Sequence, residues 1–267
     1  MFKQRLLTTL GLVPLVLLAI YYGPSLLLAG ILLFLVAASG FEWTKLIPIK
    51  PKQLEKKLIF ILAVLFMAWL THYALYLWLA FSFVIWFLVL VAVLTYPQSE
   101  QYWGKKTVVG GVGLLFLSLF SNAFVGIYQN SQGKNLIVYV LFLIWATDIG
   151  AYLTGKCWGH YKLLPKVSPG KTWEGSLGGI GLALLVAIMG AFVFKPDSYY
   201  RWFILALLTV LISMLGDLVI SMLKRRCHLK DSGHIIPGHG GILDRLDSSI
   251  AALPLFYYGL SLLGLGN

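Results

Sequence analysis

The sequence predicts an all-α polytopic integral membrane protein with about nine transmembrane helices. Of its 267 residues, 59% are hydrophobic and only 12% are charged. Apolar runs of about 20 residues recur along the chain, and such runs match the ~30 Å hydrocarbon layer of a bilayer at the helical rise of about 1.5 Å per residue. Because these runs are closely spaced, they leave no room for a separate soluble domain.

The expected spans begin close to the first residue. The first apolar run follows Lys3 and Arg5 as in a signal peptide, but no small-x-small cleavage site follows it, so we expect a retained helix. The nine spans lie near residues 5–22, 24–41, 58–73, 75–96, 107–128, 136–154, 174–194, 202–223 and 249–264.

The net charge of +11 would suggest nucleic acid as a partner in a soluble protein. Membrane proteins, however, collect Lys and Arg in their cytoplasmic loops. With the N-terminus in the cytoplasm, the nine spans put all but three of the 21 Lys and Arg on the cytoplasmic side, the exceptions being Lys134, Lys195 and Arg201. The charge asymmetry therefore predicts a cytoplasmic N-terminus, a C-terminus outside and no nucleic-acid partner.

The two halves of the chain differ in their polar residues. Residues 1–130 have short loops, and we expect them to be scaffold helices. Residues 136–264 carry two long basic cytoplasmic loops, 155–173 and 224–248, flanked by Asp148 and Asp217 inside expected spans. Since charged groups at membrane depth are costly and usually functional, we expect this half to hold the catalytic helices of a single membrane domain, 1–267.

The segment GHGGILDRLD, residues 238–247, has the strongest chemical pattern. Asp244 and Asp247 are three residues apart at the start of the last span, so they are expected to share a helix face. Carboxylate oxygens suit Mg²⁺, which completes its shell with water and substrate phosphate. The neighbouring cations would bind the remaining phosphate oxygens, and the glycines would let the backbone approach a ligand. The pattern predicts metal-assisted phosphoryl or nucleotidyl transfer.

Two other motifs do not fit common sites. Gly170-Lys171-Thr172 lacks the earlier glycine and the preceding strand of a P-loop, but it lies at the expected start of a helix, where N–H groups favour anions. Lys171 is therefore predicted to contact a phosphate. The spacing of Cys227 and the nearby histidines matches no common zinc pattern.

Between Ser221 and Asp247 the chain resembles the phosphatidate cytidylyltransferases, also called CDP-diacylglycerol synthases. Their signature reads S-x-x-K-R, four residues, K-D, then P-x-H-G-G-x-x-D-R-x-D. The segments WATDIGAYLTGKCWG and KVSPGKTWEGSLGG, within 140–180, are also similar to that family. The matching positions are Ser221, Lys224, Arg225, Lys230, Asp231, Pro237, His239, Gly240, Gly241, Asp244, Arg245 and Asp247.

The resemblance implies transfer of CMP from CTP to phosphatidic acid, giving CDP-diacylglycerol and pyrophosphate. It also implies Mg²⁺, as one or two divalent ions with a different second metal left open, a homodimer, and a bacterial cytoplasmic (inner) membrane with the active site facing the cytoplasm. The expected metal ligands are Asp217, Asp244 and Asp247, which act in catalysis with Lys224 and Arg225. The expected substrate-binding residues are Lys171, Ser221, Lys230, Asp231, His239, Gly240, Gly241, Arg245 and Asp148.

Two alternatives stay open. A proton- or ion-coupled transporter would use Asp148 and Asp217 as relay groups, but it would not need the basic, glycine-rich loop. A CTP-dependent kinase of a lipid alcohol would need a base to accept the alcohol proton. The product formed from CTP and phosphatidic acid distinguishes all three functions.

Overall fold

A computed structural model describes residues 2–47, 54–233, 235 and 240–262, and for residues 2–10 the backbone alone. The described chain is mostly helical, with one short helix and one small hairpin between longer helices. The elements are α1 (Phe2–Tyr22), α2 (Ser25–Trp43), α3 (Leu54–Tyr73), α4 (Leu75–Leu94), α5 (Glu100–Trp103), α6 (Lys106–Tyr128), α7 (Gly133–Trp158), β1 (Lys162–Leu164), β2 (Ser168–Thr172), α8 (Trp173–Phe194), α9 (Tyr199–Arg226) and α10 (Leu243–Leu262).

Each expected span coincides with one long helix, but the helices differ in how apolar they are. In the described part of the chain, six helices are long and apolar enough to cross a membrane: α2, α4, α6, α7, α8 and α9. The charged first turns of α3 and α10 lower their mean hydropathy, and in α1 the apolar part is the shorter stretch Gly11–Tyr22. The chain is therefore a polytopic, mostly helical membrane protein.

The loop expected at 155–173 contains secondary structure that the all-α expectation did not include. β1 and β2 pair antiparallel, with Lys162 opposite Thr172 and Leu164 opposite Ser168. The hairpin is fixed to α8 because Thr172 caps that helix, its hydroxyl accepting the Gly175 N–H at 3.1 Å. The cap sets the position of the preceding residue, Lys171.

The second half of the chain is packed through small residues. A Cβ at Gly150 in α7 would lie 2.6 Å from the Gly178 carbonyl oxygen and 3.0 Å from the Gly179 Cα in α8. Such approach of two helix backbones is typical of association in lipid, where van der Waals contact replaces the hydrophobic effect. Gly178 and Gly179 therefore lie where α7 packs against α8.

The core lies along α6, α7, α9 and α10, where large side chains are fully buried. Trp43 and Trp202 are buried in it, and their indole N–H groups donate to the carbonyl oxygens of Val109 and Ala187, each at 3.0 Å. At one end of this core, the end of α2, the end of α9, the start of α10 and the β1–β2 hairpin come together. The polar residues of the second half meet at that end.

Candidate active site

Three aspartates from three helices lie within electrostatic range of one another near the hairpin. Asp148 in α7, Asp217 in α9 and Asp247 in α10 are close enough to interact electrostatically. α9 and α10 approach closely at this level, because a Cβ on Gly216 would lie 2.5 Å from the Asp247 carbonyl oxygen. The structure thus brings together Asp148, a predicted substrate-binding residue, with two predicted metal ligands.

Lys171 reaches these aspartates from β2. Its Nζ lies 2.5 Å from Asp217 Oδ2, and the two side chains are 29% and 28% exposed. Ser221, one turn along α9, donates to Asp217 Oδ1 at 3.2 Å. The ion pair is accessible from outside the protein, so a ligand with phosphate groups can compete with Asp217 for the lysine.

Asp244 makes a second, more buried ion pair. Its Oδ1 lies 2.7 Å from Lys224 Nζ, with the side chains 6% and 11% exposed. Its Oδ2 accepts the N–H of Ser232 at 2.8 Å and the N–H of Gly241 at 3.0 Å. A carboxylate in the first turn of a helix is favoured by the helix dipole. Asp244 therefore binds both Lys224 and the loop that precedes α10.

Gly240 occupies a backbone conformation that other residues rarely adopt. Its φ is +84°, in the left-handed region, and a Cβ there would lie 2.9 Å from Asp244 Oδ2. Glycine is the residue that takes this conformation without strain. Gly240 therefore brings the backbone close to Asp244, and its approach to a ligand stays a prediction.

The remaining cations of the site differ in their contacts. Arg225 donates from Nε to the carbonyl oxygen of Val167 at 3.3 Å, which joins the end of α9 to the turn of the hairpin. Arg245 interacts electrostatically with Asp148. Arg226 points elsewhere: it pairs with Glu100 at 3.2 Å and stacks over Trp103.

Other predicted site residues make fewer described contacts with the aspartates and lysines above. Lys230 and Asp231 are exposed, and Asp231 lies close to Gly240. His239, with Pro237 and Gly238 of the signature, lies outside the described residues. Asp244 and Asp247 are one turn apart as predicted, but Asp244 pairs with Lys224 whereas Asp247 interacts with Asp217 and Asp148.

Sequence reasoning missed two residues at the end of α2. Glu42 is fully buried, and its Oε2 accepts the Ser232 hydroxyl at 3.0 Å and the Leu243 N–H at 2.8 Å. Lys45 Nζ donates to the Ser232 carbonyl oxygen at 2.8 Å. The signal was present in the sequence, since Glu42 is the one acidic residue in the apolar run of α2.

The carboxylates fit a hard divalent cation by their chemistry. Mg²⁺ is commonly held by one or two carboxylates plus substrate phosphate. No group of three or more His, Cys, Asp or Glu side chains at metal-binding spacing occurs among residues 2–47, 54–233, 235 and 240–262. Asp217 and Asp247 lie on neighbouring helices and interact electrostatically, so both could contribute oxygens to one ion. The oxygens of Asp217 contact Lys171 and Ser221, whereas those of Asp244 accept from Lys224 and from two backbone N–H groups, so an ion at Asp244 would replace more contacts.

Comparison with known proteins extends the likeness beyond the signature segments. A phosphatidate cytidylyltransferase of Pseudomonas aeruginosa is 37% identical over 275 residues, which cover 96% of this chain and 96% of that protein. Another from Haemophilus influenzae is 37% identical over 97% of this chain and 98% of its own length. One from Bacillus subtilis is 43% identical over 150 residues, 55% of this chain and 56% of the relative.

The same relationship is found with a family model. The model for the cytidylyltransferase family matches residues 3–263, which include every helix of the structure in whole or nearly so. Both the scaffold half and the half with the aspartates are therefore part of the match. The chain belongs to the cytidylyltransferase family.

Proposed function

We propose that this chain is a phosphatidate cytidylyltransferase, which transfers CMP from CTP to phosphatidic acid and forms CDP-diacylglycerol and pyrophosphate in phospholipid synthesis. The main structural support is a cluster at one end of the helix bundle, in which Lys171 lies beside three aspartates, Asp148, Asp217 and Asp247. Full-length similarity to proteins of that name supports it.

The reaction needs charge control more than it needs a base. A phosphate oxygen of phosphatidic acid attacks the α-phosphorus of CTP, a new P–O bond forms, and the bond to the β-phosphate oxygen breaks to release pyrophosphate. A phosphomonoester with a second pKa near 6 is largely dianionic at neutral pH, so no strong general base is required. The barrier lies in repulsion between two anions and in charge that grows on the leaving group.

The cations of the site are suited to that task. The hairpin supplies Lys171, and the end of α9 supplies Lys224 and Arg225. We propose that these three cations bind the phosphates of the two substrates. Before substrate binds, Asp217 and Asp244 neutralise the two lysines. Substrate phosphate would replace Asp217 as the partner of Lys171, while the more buried pair with Asp244 keeps Lys224 in position.

Mg²⁺ is the proposed cofactor, and it would neutralise charge on the phosphates of CTP. Asp217 and Asp247 would hold it, with Asp148 nearby. Asp244 was predicted as a third ligand, but it would first have to release Lys224 and two backbone N–H groups. We therefore propose that Asp244 organises the loop and that the other two aspartates bind metal.

We also propose nine transmembrane helices in one integral-membrane unit, with a cytoplasmic N-terminus and the site facing the cytoplasm. The charge asymmetry of the loops supports this orientation. The relatives come from bacteria, which supports the inner membrane as location. A homodimer remains a proposal from family resemblance.

The position of the isotope in CTP tests the proposed reaction against its rivals. Purified protein with Mg²⁺ and phosphatidic acid should place label from the α-phosphorus of CTP in the lipid and label from the γ-phosphorus in pyrophosphate. With a lipid alcohol supplied beside the phosphatidic acid, a lipid-alcohol kinase would put the γ-label in lipid, and a transporter would put neither label there. Either of those results would exclude cytidylyl transfer.

A further inference from the structure

The end of α2 holds a buried carboxylate that the reaction chemistry above does not use. Glu42 is fully buried, and a carboxylate in such a position is tolerated when hydrogen bonds replace the lost water. Its Oε2 accepts the Ser232 hydroxyl at 3.0 Å and the Leu243 N–H at 2.8 Å. Both donors belong to a segment made of residues 231–233 and 240–243, at the end of the connection from α9 to α10, so Glu42 binds the segment that carries the signature glycines Gly240 and Gly241.

Ser232 is the point at which α2 and the active site meet. The residue is 1% exposed, and all three of its polar groups are used. Its N–H donates to Asp244 at 2.8 Å, its hydroxyl donates to Glu42, and its carbonyl oxygen accepts from Lys45 Nζ at 2.8 Å. Since Asp244 also binds Lys224, a continuous set of hydrogen bonds runs from Glu42 to Lys224.

Two glycines let the segment enclose the Glu42 carboxylate. A Cβ at Gly233 or Gly241 would collide with the carboxylate oxygens of Glu42. Oε1 of Glu42 is buried and has no hydrogen-bond partner in the part of the chain that the structure describes. The carboxylate is thus enclosed by the backbone of the segment, and a side chain of different length would not fit the same contacts.

We propose that Glu42 and Lys45 are positioning residues for cytidylyl transfer, which hold residues 231–233 and 240–243 so that Asp244 keeps Lys224 in place against a substrate phosphate. The inference rests on the proposed function and assigns a role to residues of the first, otherwise apolar half of the chain. The reason is geometric: a displacement of about 1 Å at a reacting group can lower a rate by about 10²-fold.

Two substitutions at Glu42 separate positioning from direct electrostatics. Glu42→Gln keeps the length and one acceptor oxygen, so Ser232 and Leu243 retain their partner. Glu42→Asp keeps the charge but withdraws the acceptor by one methylene, which leaves a buried hydroxyl and a buried N–H unpaired. We expect kcat of Glu42→Asp to fall by about tenfold or more with a smaller change in KM for CTP, and Glu42→Gln to stay within about threefold of the wild type.

If Glu42 bound a metal or acted on the substrates directly through its charge, Glu42→Gln would lose more activity than Glu42→Asp, because charge would then matter more than side-chain length. Equal or greater loss in Glu42→Gln would therefore overturn the proposal. Glu55→Asp is the matched control: the residue is an exposed glutamate in the first turn of α3, and its substitution should leave kcat unchanged.

Hydrogen exchange tests the contacts without any assay of turnover. In detergent-solubilised protein, Glu42→Asp should speed amide exchange in the peptide that contains Ser232, Gly241 and Leu243, whereas Glu55→Asp should not. Unchanged exchange would overturn the proposal even if activity falls. If the wild type makes no CDP-diacylglycerol, the proposed function fails, and the exchange result still decides whether α2 holds this segment.

Ser232→Ala provides a second variant in case Glu42→Asp does not fold. It removes the hydroxyl and keeps the N–H that binds Asp244, so we expect a kcat loss of several-fold and faster exchange of the same peptide. The losses in Glu42→Asp and Ser232→Ala should add only in part in the double variant, since both break the hydrogen bond from Ser232 to Glu42 and only Glu42→Asp also breaks the one from Leu243. Full additivity, or a loss explained entirely by a smaller folded fraction, would show a merely structural role.

Discussion

At the scale of single residues, the two lysine–aspartate pairs differ in what each can do. The Lys171–Asp217 pair is more than one quarter exposed, and pairs that are not buried contribute little to stability. The Lys224–Asp244 pair is largely buried and is supported by two backbone N–H groups. Removal of one partner of such a pair leaves an uncompensated charge. The first pair is therefore suited to exchange partners, and the second to hold a geometry.

The division of labour among the aspartates predicts different responses to metal. Asp217→Asn and Asp247→Asn should raise the Mg²⁺ concentration needed for half-maximal activity by about tenfold or more, because each removes a charge from the proposed ion site. Asp244→Asn should lower kcat by about 10²-fold, the usual scale for loss of a preorganised contact, with that concentration nearly unchanged.

Titration of activity with Mg²⁺ in purified variants measures both quantities. Asp197→Asn, a change in an exposed aspartate between α8 and α9, is the control and should behave as wild type. If Asp244→Asn raised the Mg²⁺ requirement as much as Asp217→Asn and Asp247→Asn do, Asp244 would be a metal ligand and the proposed assignment would be wrong.

The basic residues are also expected to differ in how much each contributes to activity with CTP. Arg225 is an exposed side chain at the end of α9 that contacts the hairpin, and Lys56 is an exposed lysine in α3. Arg225→Ala should lower kcat/KM for CTP by about tenfold or more, since charge-assisted hydrogen bonds to phosphate are among the stronger polar contacts. Lys56→Ala should change it by less than twofold. Steady-state kinetics would contradict the assignment if both variants lost the same activity.

At the scale of elements, the sequence predicted where helices lie but not which polar groups meet. Apolar runs predicted all nine long helices of the described residues, and six of these helices are long and apolar enough by themselves to cross a membrane, where every backbone group must be hydrogen-bonded within its own segment. Ser221 lies one turn from Asp217 along α9, a spacing that allows the hydrogen bond between them, although the pairing was not predicted. The hairpin was missed since strands of three and five residues leave almost no pattern. The contact of Glu42 with Ser232 joins positions 190 residues apart, which local periodicity does not reveal.

The close packing of α7 on α8 gives a prediction about stability. Gly150→Ala would place a Cβ 2.6 Å from a backbone oxygen of α8, which moves only if the helices separate. Overpacking of this kind costs about 1–3 kcal/mol, so the thermal midpoint in detergent should fall by several degrees. Gly111→Ala is the matched control, because nothing lies within 4 Å of its Cβ and alanine favours helix. An unchanged midpoint in Gly150→Ala would show that this contact is loose.

At the scale of the whole molecule, the elements of the candidate site all come from one end of the bundle. The end of α2, the hairpin before α8, the end of α9 and the start of α10 are joined there by hydrogen bonds and ion pairs. A lipid substrate held in the bilayer and a nucleotide from water meet only at such an interface. Orientation in the membrane thus decides which pool of nucleotide the site can use.

Thiol labelling in intact cells tests that orientation, with one natural cysteine as reporter. Cys157 is exposed near the end of α7, beside the hairpin. Cys227 is half-buried, and burial raises the pKa of its thiol, which lowers the reactive thiolate fraction. Cys227→Ser therefore leaves a single reporter whose labelling is easily interpreted.

A membrane-impermeant maleimide added to intact cells should leave Cys157 unmodified, and it should modify Cys157 in inside-out vesicles, because the site end faces the cytoplasm in this topology. Asp197→Cys, made in a cysteine-free chain, supplies the opposite reporter between α8 and α9 and should react from outside. Labelling of Cys157 from outside together with protection of position 197 would reverse the orientation. The site would then face away from cytoplasmic CTP, and the proposed reaction could not proceed in the cell.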